Sequence, residues 1–242
     1  MLDPATAPAE HTAPSRRRGT RRSRLLLAQP PPDKPLLRGW LHLAALVCVL
    51  AGGPVLVASS AQSSQTAALS VYIAALVALF GVSATYHRPN WAGGPRRVLR
   101  RLDHSTIFLA IAGSYTAIGD LALHGWAFAL VLAIVWGGGV CGVAVRQLWL
   151  DAPSWAIGLP YLLTGWCALA VLPQLERGLG AAGFALVLGG GLFYSAGAAV
   201  YALRRPNPWP RVFGFHEVFH ACTIAGAALQ FAAIAAFALP RS

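Results

Sequence analysis

Charge is what this chain has least of. Asp, Glu, Lys and Arg make up 11% of its 242 residues, against about a quarter in an ordinary soluble domain. With 56% hydrophobic residues and a mean hydropathy of +0.57, a soluble globular fold is excluded and an integral membrane protein is left. Cysteine is equally uninformative as chemistry. Cys48, Cys141, Cys167 and Cys222 all lie in apolar stretches without CxxC spacing, so they read as small packing residues rather than a thiolate metal or redox centre. Cys222 follows His220 by two positions and turns about 200° away from it on a helix, which makes it a poor ligand partner. The N-terminal stretch shows no secretory cleavage pattern, and no internal repeat stands out.

What is present is a series of apolar runs of about 20 residues, the length that crosses about 30 Å of hydrocarbon as a helix. Seven can be read, roughly 39–58, 66–87, 102–122, 125–148, 155–174, 180–203 and 214–239. Their short connections predict one all-α bundle of seven transmembrane helices over residues 34–242. Residues 1–33 carry Pro4, Pro8, Pro14, Pro30, Pro31, Pro32 and six arginines. That composition cannot bury a core, so a disordered basic tail that touches anionic lipid is expected. Arg16-Arg17 resembles a paired-arginine export signal, but Pro30-Pro31-Pro32-Asp33 interrupts any apolar run that would follow it.

A net charge of +11 raises nucleic acid as a partner, and the placement of the charge argues against it. With seven crossings, seventeen of the nineteen Lys and Arg fall on one side, in the tail, the second-to-third connection, the end of the fourth run and the sixth-to-seventh connection. Only Arg177 and Arg241 fall opposite. This asymmetry places the N-terminus in the cytoplasm and the C-terminus outside, in a multi-pass protein of the cell membrane.

The same topology brings scattered polar residues to one depth. His216-Glu217-Val218-Phe219-His220 opens the last run, and histidines four apart share a helix face. His87 ends the second run with Ser83 one turn before it, and Asp103 opens the third; all fall at the cytoplasmic leaflet. Ionisable groups inside a membrane are costly and face a partner or a cavity. Three imidazoles with an open fourth position form the arrangement in which zinc activates water. Asp103 is then the candidate for taking a proton from that water, and Ser83 for hydrogen-bonding the water or an oxyanion. Glu217 has two readings, a helix-start carboxylate favourable to the dipole or an acid/base group as in zinc proteases. The protease reading is disfavoured because the 22 residues after His220 contain no Asp, Glu or His. His42 and Trp40 are expected to be interfacial anchors, as are Trp91, Trp149, Trp155 and Trp209. His124 and Asp120 fall on the outer side.

Lys34-Pro-Leu-Leu-Arg-Gly-Trp-Leu-His42, Ser83-Ala-Thr-Tyr-His87, Asp103-His-Ser-Thr-Ile107, Ala112-Gly-Ser-Tyr-Thr116 and His216-Glu-Val-Phe-His220 occur in the order and spacing of hemolysin III proteins. The chain thus resembles, over residues 34 to 239, the bacterial branch of the progestin and adipoQ receptor family, which includes the adiponectin receptors and is similar to the alkaline ceramidases. The resemblance implies a seven-helix bundle with an intramembrane zinc near the cytoplasmic face. His87, His216 and His220 would be its ligands, with Asp103 and Ser83 as the water-associated pair. It also implies one of two functions. One is hydrolysis of an amide or ester bond of a membrane lipid, with a role in lipid homeostasis. The other is a non-enzymatic haemolysin, pore, lipid sensor or receptor-like protein with a structural zinc.

Overall fold

The computed structural model describes residues 34–149 and 154–241. The basic tail expected over residues 1–33 lies outside them, as does the side chain of Trp155. The described chain is helical: α1 (Trp40–Ala58), α2 (Ser63–His87), α3 (Gly93–Ala122), α4 (Trp126–Leu148), α5 (Ser154–Gly165), α6 (Leu172–Leu203) and α7 (Phe215–Ala233). A 3-10 turn, Cys167–Val171, joins α5 to α6, and α7 runs on into a π-helical turn, Ile234–Ala238.

Local chemistry explains where the helices stop and start. Gly39 (φ 81°) precedes α1 and Gly125 (φ 59°) precedes α4, in left-handed backbone that only glycine adopts without strain. A Cβ at Gly39 would also lie 2.9 Å from Arg88 Cγ, so the entry to α1 is packed against the end of α2. Helix α3 begins at Gly93, nine residues before the apolar run that marks it in the sequence. Arg96, Arg97, Arg100 and Arg101 lower the hydropathy there, but arginine is a good helix former and the backbone ladder does not need apolar side chains.

Among the described residues, six segments are long and apolar enough to cross a membrane. The fifth, Gly158–Leu203, holds 46 residues, about 69 Å as a straight helix, roughly twice the hydrocarbon thickness. It is not straight: the 3-10 turn interrupts it, and so does Gly180, whose φ of 69° and ψ of 166° are non-helical. The Tyr161 hydroxyl donates to the His104 carbonyl (2.8 Å), near the start of the apolar part of α3. Gln174 Oε1 accepts from the His124 N–H (2.9 Å) just past the end of α3.

Two sets of bonds define one end of the bundle. The Leu36 and Leu37 N–H groups donate to the Arg211 and Val212 carbonyls at 3.0 and 3.1 Å. Lys34 Nζ donates to the Arg88 carbonyl (2.7 Å) and Asn90 Oδ1 (2.8 Å). The segment before α1 is thereby tied to both the α6–α7 and the α2–α3 connections. Among the described residues, Lys34, Arg38, Arg88, Arg96, Arg204, Arg205 and Arg211 gather at this end. Arg88 also lies over the Trp40 ring, 3.6 Å from its centroid, a cation–π contact at the expected interfacial tryptophan.

Helix α3 is the most buried of the crossing helices and packs chiefly on α2; α6 packs chiefly on α7, and α7 meets α1. In lipid, association rests on close packing rather than on exclusion of water, and small residues permit it. A Cβ at Gly190 would sit 3.0 Å from the Gly226 carbonyl oxygen, so α6 and α7 cross backbone to backbone there. Tyr72, Phe80, Ile118, Val131 and Leu179 are almost wholly enclosed between the helices.

Candidate metal centre

Helix α7 starts at Phe215 with Gly214 as its N-cap, and Glu217 secures that start. Glu217 Oε2 accepts the Gly214 N–H at 2.8 Å, the N3 half of a capping box, which a glycine N-cap cannot return. Its Oε1 pairs with Arg38 Nε. Both carboxylate oxygens are thus engaged, and the side chain is wholly buried. Of the two readings of Glu217, the helix-start role is the one found, extended by an ion pair. The acid/base role is left without a free oxygen.

The cap fixes the turn that carries His216, and His220 follows one turn later on the same face. His87, the last residue of α2, meets them. One nitrogen from each of the three imidazoles lies within 4.8 Å of the other two, and His216 Nε2 and His87 Nε2 are 3.3 Å apart. Asp103 Oδ2 is 3.5 Å from His87 Nε2. Ser83 is buried one turn before His87 and reaches the same carboxylate. Residues separated by up to 137 positions in the chain are gathered because α2, α3 and α7 all have their ends at the basic face.

This donor set fits a metal ion. Two nitrogens bound at 2.0–2.1 Å in a tetrahedral zinc site are about 3.3–3.4 Å apart, and His216 and His87 have that separation. His220 is 2% exposed, and its Nδ1 has no hydrogen-bond partner among the described residues. An orphaned imidazole nitrogen in a membrane interior is costly, and a shared cation would relieve the crowding of three such rings.

His42 departs from expectation. It is not an interfacial anchor: it is 2% exposed and stacks flat on His220, ring centroids 3.8 Å apart and planes 7° from parallel. Neither of its ring nitrogens has a hydrogen-bond partner among the described residues. The signal for this was present in α1, where His42, Ala45, Val49, Gly53 and Leu56 form its buried stripe, a helical repeat of three and four. Arg38 was also missed as a partner, since nothing local in the sequence joins it to Glu217. Tyr201 packs edge-on to His216 with centroids 5.6 Å apart. Cys222 faces Gly197 of α6, turned from the cluster as its spacing predicts, and His124 is exposed beside Gln174, far from it.

A cavity of about 350 Å³ opens over the cluster. It is lined by His87, Asp103, His104 and His216 and by the basic side chains of Lys34, Arg38, Arg96 and Arg100. A larger hollow of about 620 Å³ lies between α1 and α2 toward the opposite end, lined by Pro54, Val57, Thr66 and Ile73. No ionisable side chain lines it.

Together these features define a multi-pass helical membrane protein with a polar centre of three histidines and an aspartate beneath a basic face. The haemolysin-III related family profile matches residues 32–231, and the chain belongs to that family. It is 28% identical to Hemolysin-3 of Bacillus cereus over 178 residues, 74% of this chain and 78% of that protein. It is 29% identical to the Hemolysin-3 homolog of Bacillus subtilis (strain 168) over 134 residues, 55% of this chain and 60% of that protein.

Proposed function

We propose that this protein is a zinc-dependent hydrolase of the cell membrane that cleaves an amide or ester bond of a membrane lipid at the cytoplasmic face. The observation that supports this best is the meeting of three imidazole nitrogens within 4.8 Å, with a carboxylate 3.5 Å from one of them, beside a cavity that His87, His216 and Asp103 help to line. The resemblance to the progestin and adipoQ receptors and the alkaline ceramidases points the same way.

His87, His216 and His220 hold the metal in this reading. Zinc there supplies Lewis-acid chemistry, lowering the pKa of water toward about 7 and polarising a carbonyl. Asp103 accepts the proton at its carboxylate and passes it to the departing amine or alcohol. Ser83 keeps that carboxylate oriented toward His87. The Glu217 cap and its ion pair hold the first turn of α7, so that His216 and His220 keep their spacing. Seven crossings are proposed, with Gly158–Leu203 counted as two. The contacts of Tyr161 with His104 and of Gln174 with His124, about 30 Å apart along α3, support that count. The N-terminus is then cytoplasmic and the C-terminus outside, because the basic end faces the cytoplasm.

One observation favours a second reading. Asp103 is close enough to His87 to serve as a fourth ligand, and four protein ligands make a closed, structural zinc site. Function would then be non-enzymatic, in keeping with the name of the Bacillus cereus relative. Zinc analysis and lipid turnover on purified variants separate the two. His87→Ala is expected to lose zinc. Asp103→Ala is expected to keep zinc and lose turnover in the hydrolase reading, and to lose zinc in the structural one. A wild-type protein that binds no zinc refutes both.

A further inference from the structure

The part of α3 that lies outside the apolar run points its charge at the centre. Arg96, Arg100 and Asp103 stand at i, i+4 and i+7, on one side of the helix, and all three line the cavity over the histidines. At 1.5 Å per residue, Asp103 lies about 4.5 Å along the axis from Arg100 and about 10.5 Å from Arg96. The ion pairs of the described residues are Arg38 with Glu217 and His87 with Asp103, so neither Arg96 nor Arg100 has a carboxylate partner among them. Lys34 forms part of the cavity wall, anchored by its bonds to the Arg88 carbonyl and Asn90. Burial, and then the neighbouring Arg38 and Arg88, lower its pKa below the usual lysine value. The inside-positive bias accounts for arginines at this end of the bundle. It does not account for their lining this cavity, since Arg204, Arg205 and Arg211 satisfy the same bias outside it.

We infer that this vestibule binds the phosphate of an anionic membrane lipid, with Arg96 and Arg100 as its guanidinium ligands and Lys34 adding charge from the wall. Two guanidinium forks can engage separate phosphate oxygens at once. A phosphate held at their level leaves the lipid's backbone linkage a few covalent bonds further in, beside Asp103 and the histidines. The lipid class this assigns to the centre rests on the hydrolase reading; the binding itself does not.

The test is lipid binding rather than turnover. Full-length protein in neutral detergent is titrated with dioleoyl phosphatidic acid or dioleoylglycerol, with and without chelation of metal, and bound lipid is counted by native mass spectrometry. Phosphatidic acid is expected to bind about tenfold or more tightly than dioleoylglycerol, the scale of a charge-assisted contact. Arg96→Gln with Arg100→Gln should abolish the preference, whereas Arg204→Gln with Arg205→Gln should leave it intact. If the double glutamine variant does not fold, the single Arg100→Gln variant should still show a reduced preference. Equal loss in the Arg204/Arg205 control, or no preference for the phosphate lipid in the wild type, overturns the inference. Inorganic phosphate that competes as well as the lipid, mole for mole, overturns the lipid assignment. Because Asp103→Ala and metal-stripped protein should still prefer phosphatidic acid, a failure of hydrolysis and a failure of headgroup binding are read separately.

Discussion

Glu217 is the residue whose removal should cost the bundle most per atom lost, because it serves two partners from a fully buried position. Glu217→Ala removes the acceptor for the Gly214 N–H, about 1 kcal/mol for a helix cap. It also leaves Arg38 without its counter-charge. Breaking a buried pair by removing one partner costs about 3–5 kcal/mol. The Arg38 side chain is 21% exposed and can be partly rehydrated, so the low end, about 3 kcal/mol, applies. The sum predicts a loss of about 4 kcal/mol for Glu217→Ala. Glu217→Gln keeps an acceptor for the cap and should recover about 1 kcal/mol of it. The assay is reversible unfolding in mixed micelles, run as a double-mutant cycle with Arg38→Ala. A coupling energy above about 1 kcal/mol is expected for groups in direct contact. Zinc content should fall alongside stability, because His216 and His220 flank Glu217 in the same two turns. Strictly additive effects of the two substitutions, or an alanine variant as stable as wild type, would refute the ion-pair and cap account.

Other substitutions probe the packing around the centre. His42→Phe should preserve the flat stack on His220 and retain zinc, whereas His42→Ala opens a space beside that ring and should weaken zinc binding by about 10- to 100-fold, the range seen when residues that orient ligands are removed; competition with a chromophoric chelator measures both. Gly142→Ala places a Cβ 2.0 Å from Phe108 Cζ, so the ring must move and destabilisation of about 1–3 kcal/mol is expected from overpacking, read by thermal unfolding in detergent. Gly190→Val drives a branched side chain into the Gly226 carbonyl and should separate α6 from α7, which a cysteine cross-linking pair placed across the two helices would detect as lost efficiency.

Class and local order were legible in the chain because both are sums over neighbouring residues. Scarce charge and long apolar runs specify a helical membrane protein whatever the packing. The spacing of His216 and His220 puts them on one face of any helix that contains them. The bias of arginines toward alternate connections marks one end of the bundle before any helix is packed. Even His42 was within reach, since it continues the buried stripe of α1; it was misread because a histidine near a helix end resembles an anchor when its stripe is not traced.

What only the tertiary structure decided depends on contacts between distant segments. The pairing of Arg38 with Glu217, the stacking of His42 on His220 and the approach of Asp103 to His87 each join different helices, and hydropathy carries no term for which helices adjoin. The length of α3 was hidden because a hydropathy reading stops at arginine while a hydrogen-bonded backbone does not. The non-helical backbone at Gly180 falls where the sixth apolar run was read to begin, whereas the 3-10 turn at Cys167–Val171 lies inside the fifth run, whose composition does not mark it. Side-chain chemistry sets what each segment is; the crossing of α7 with α1 and the burial of α3 set what each segment meets.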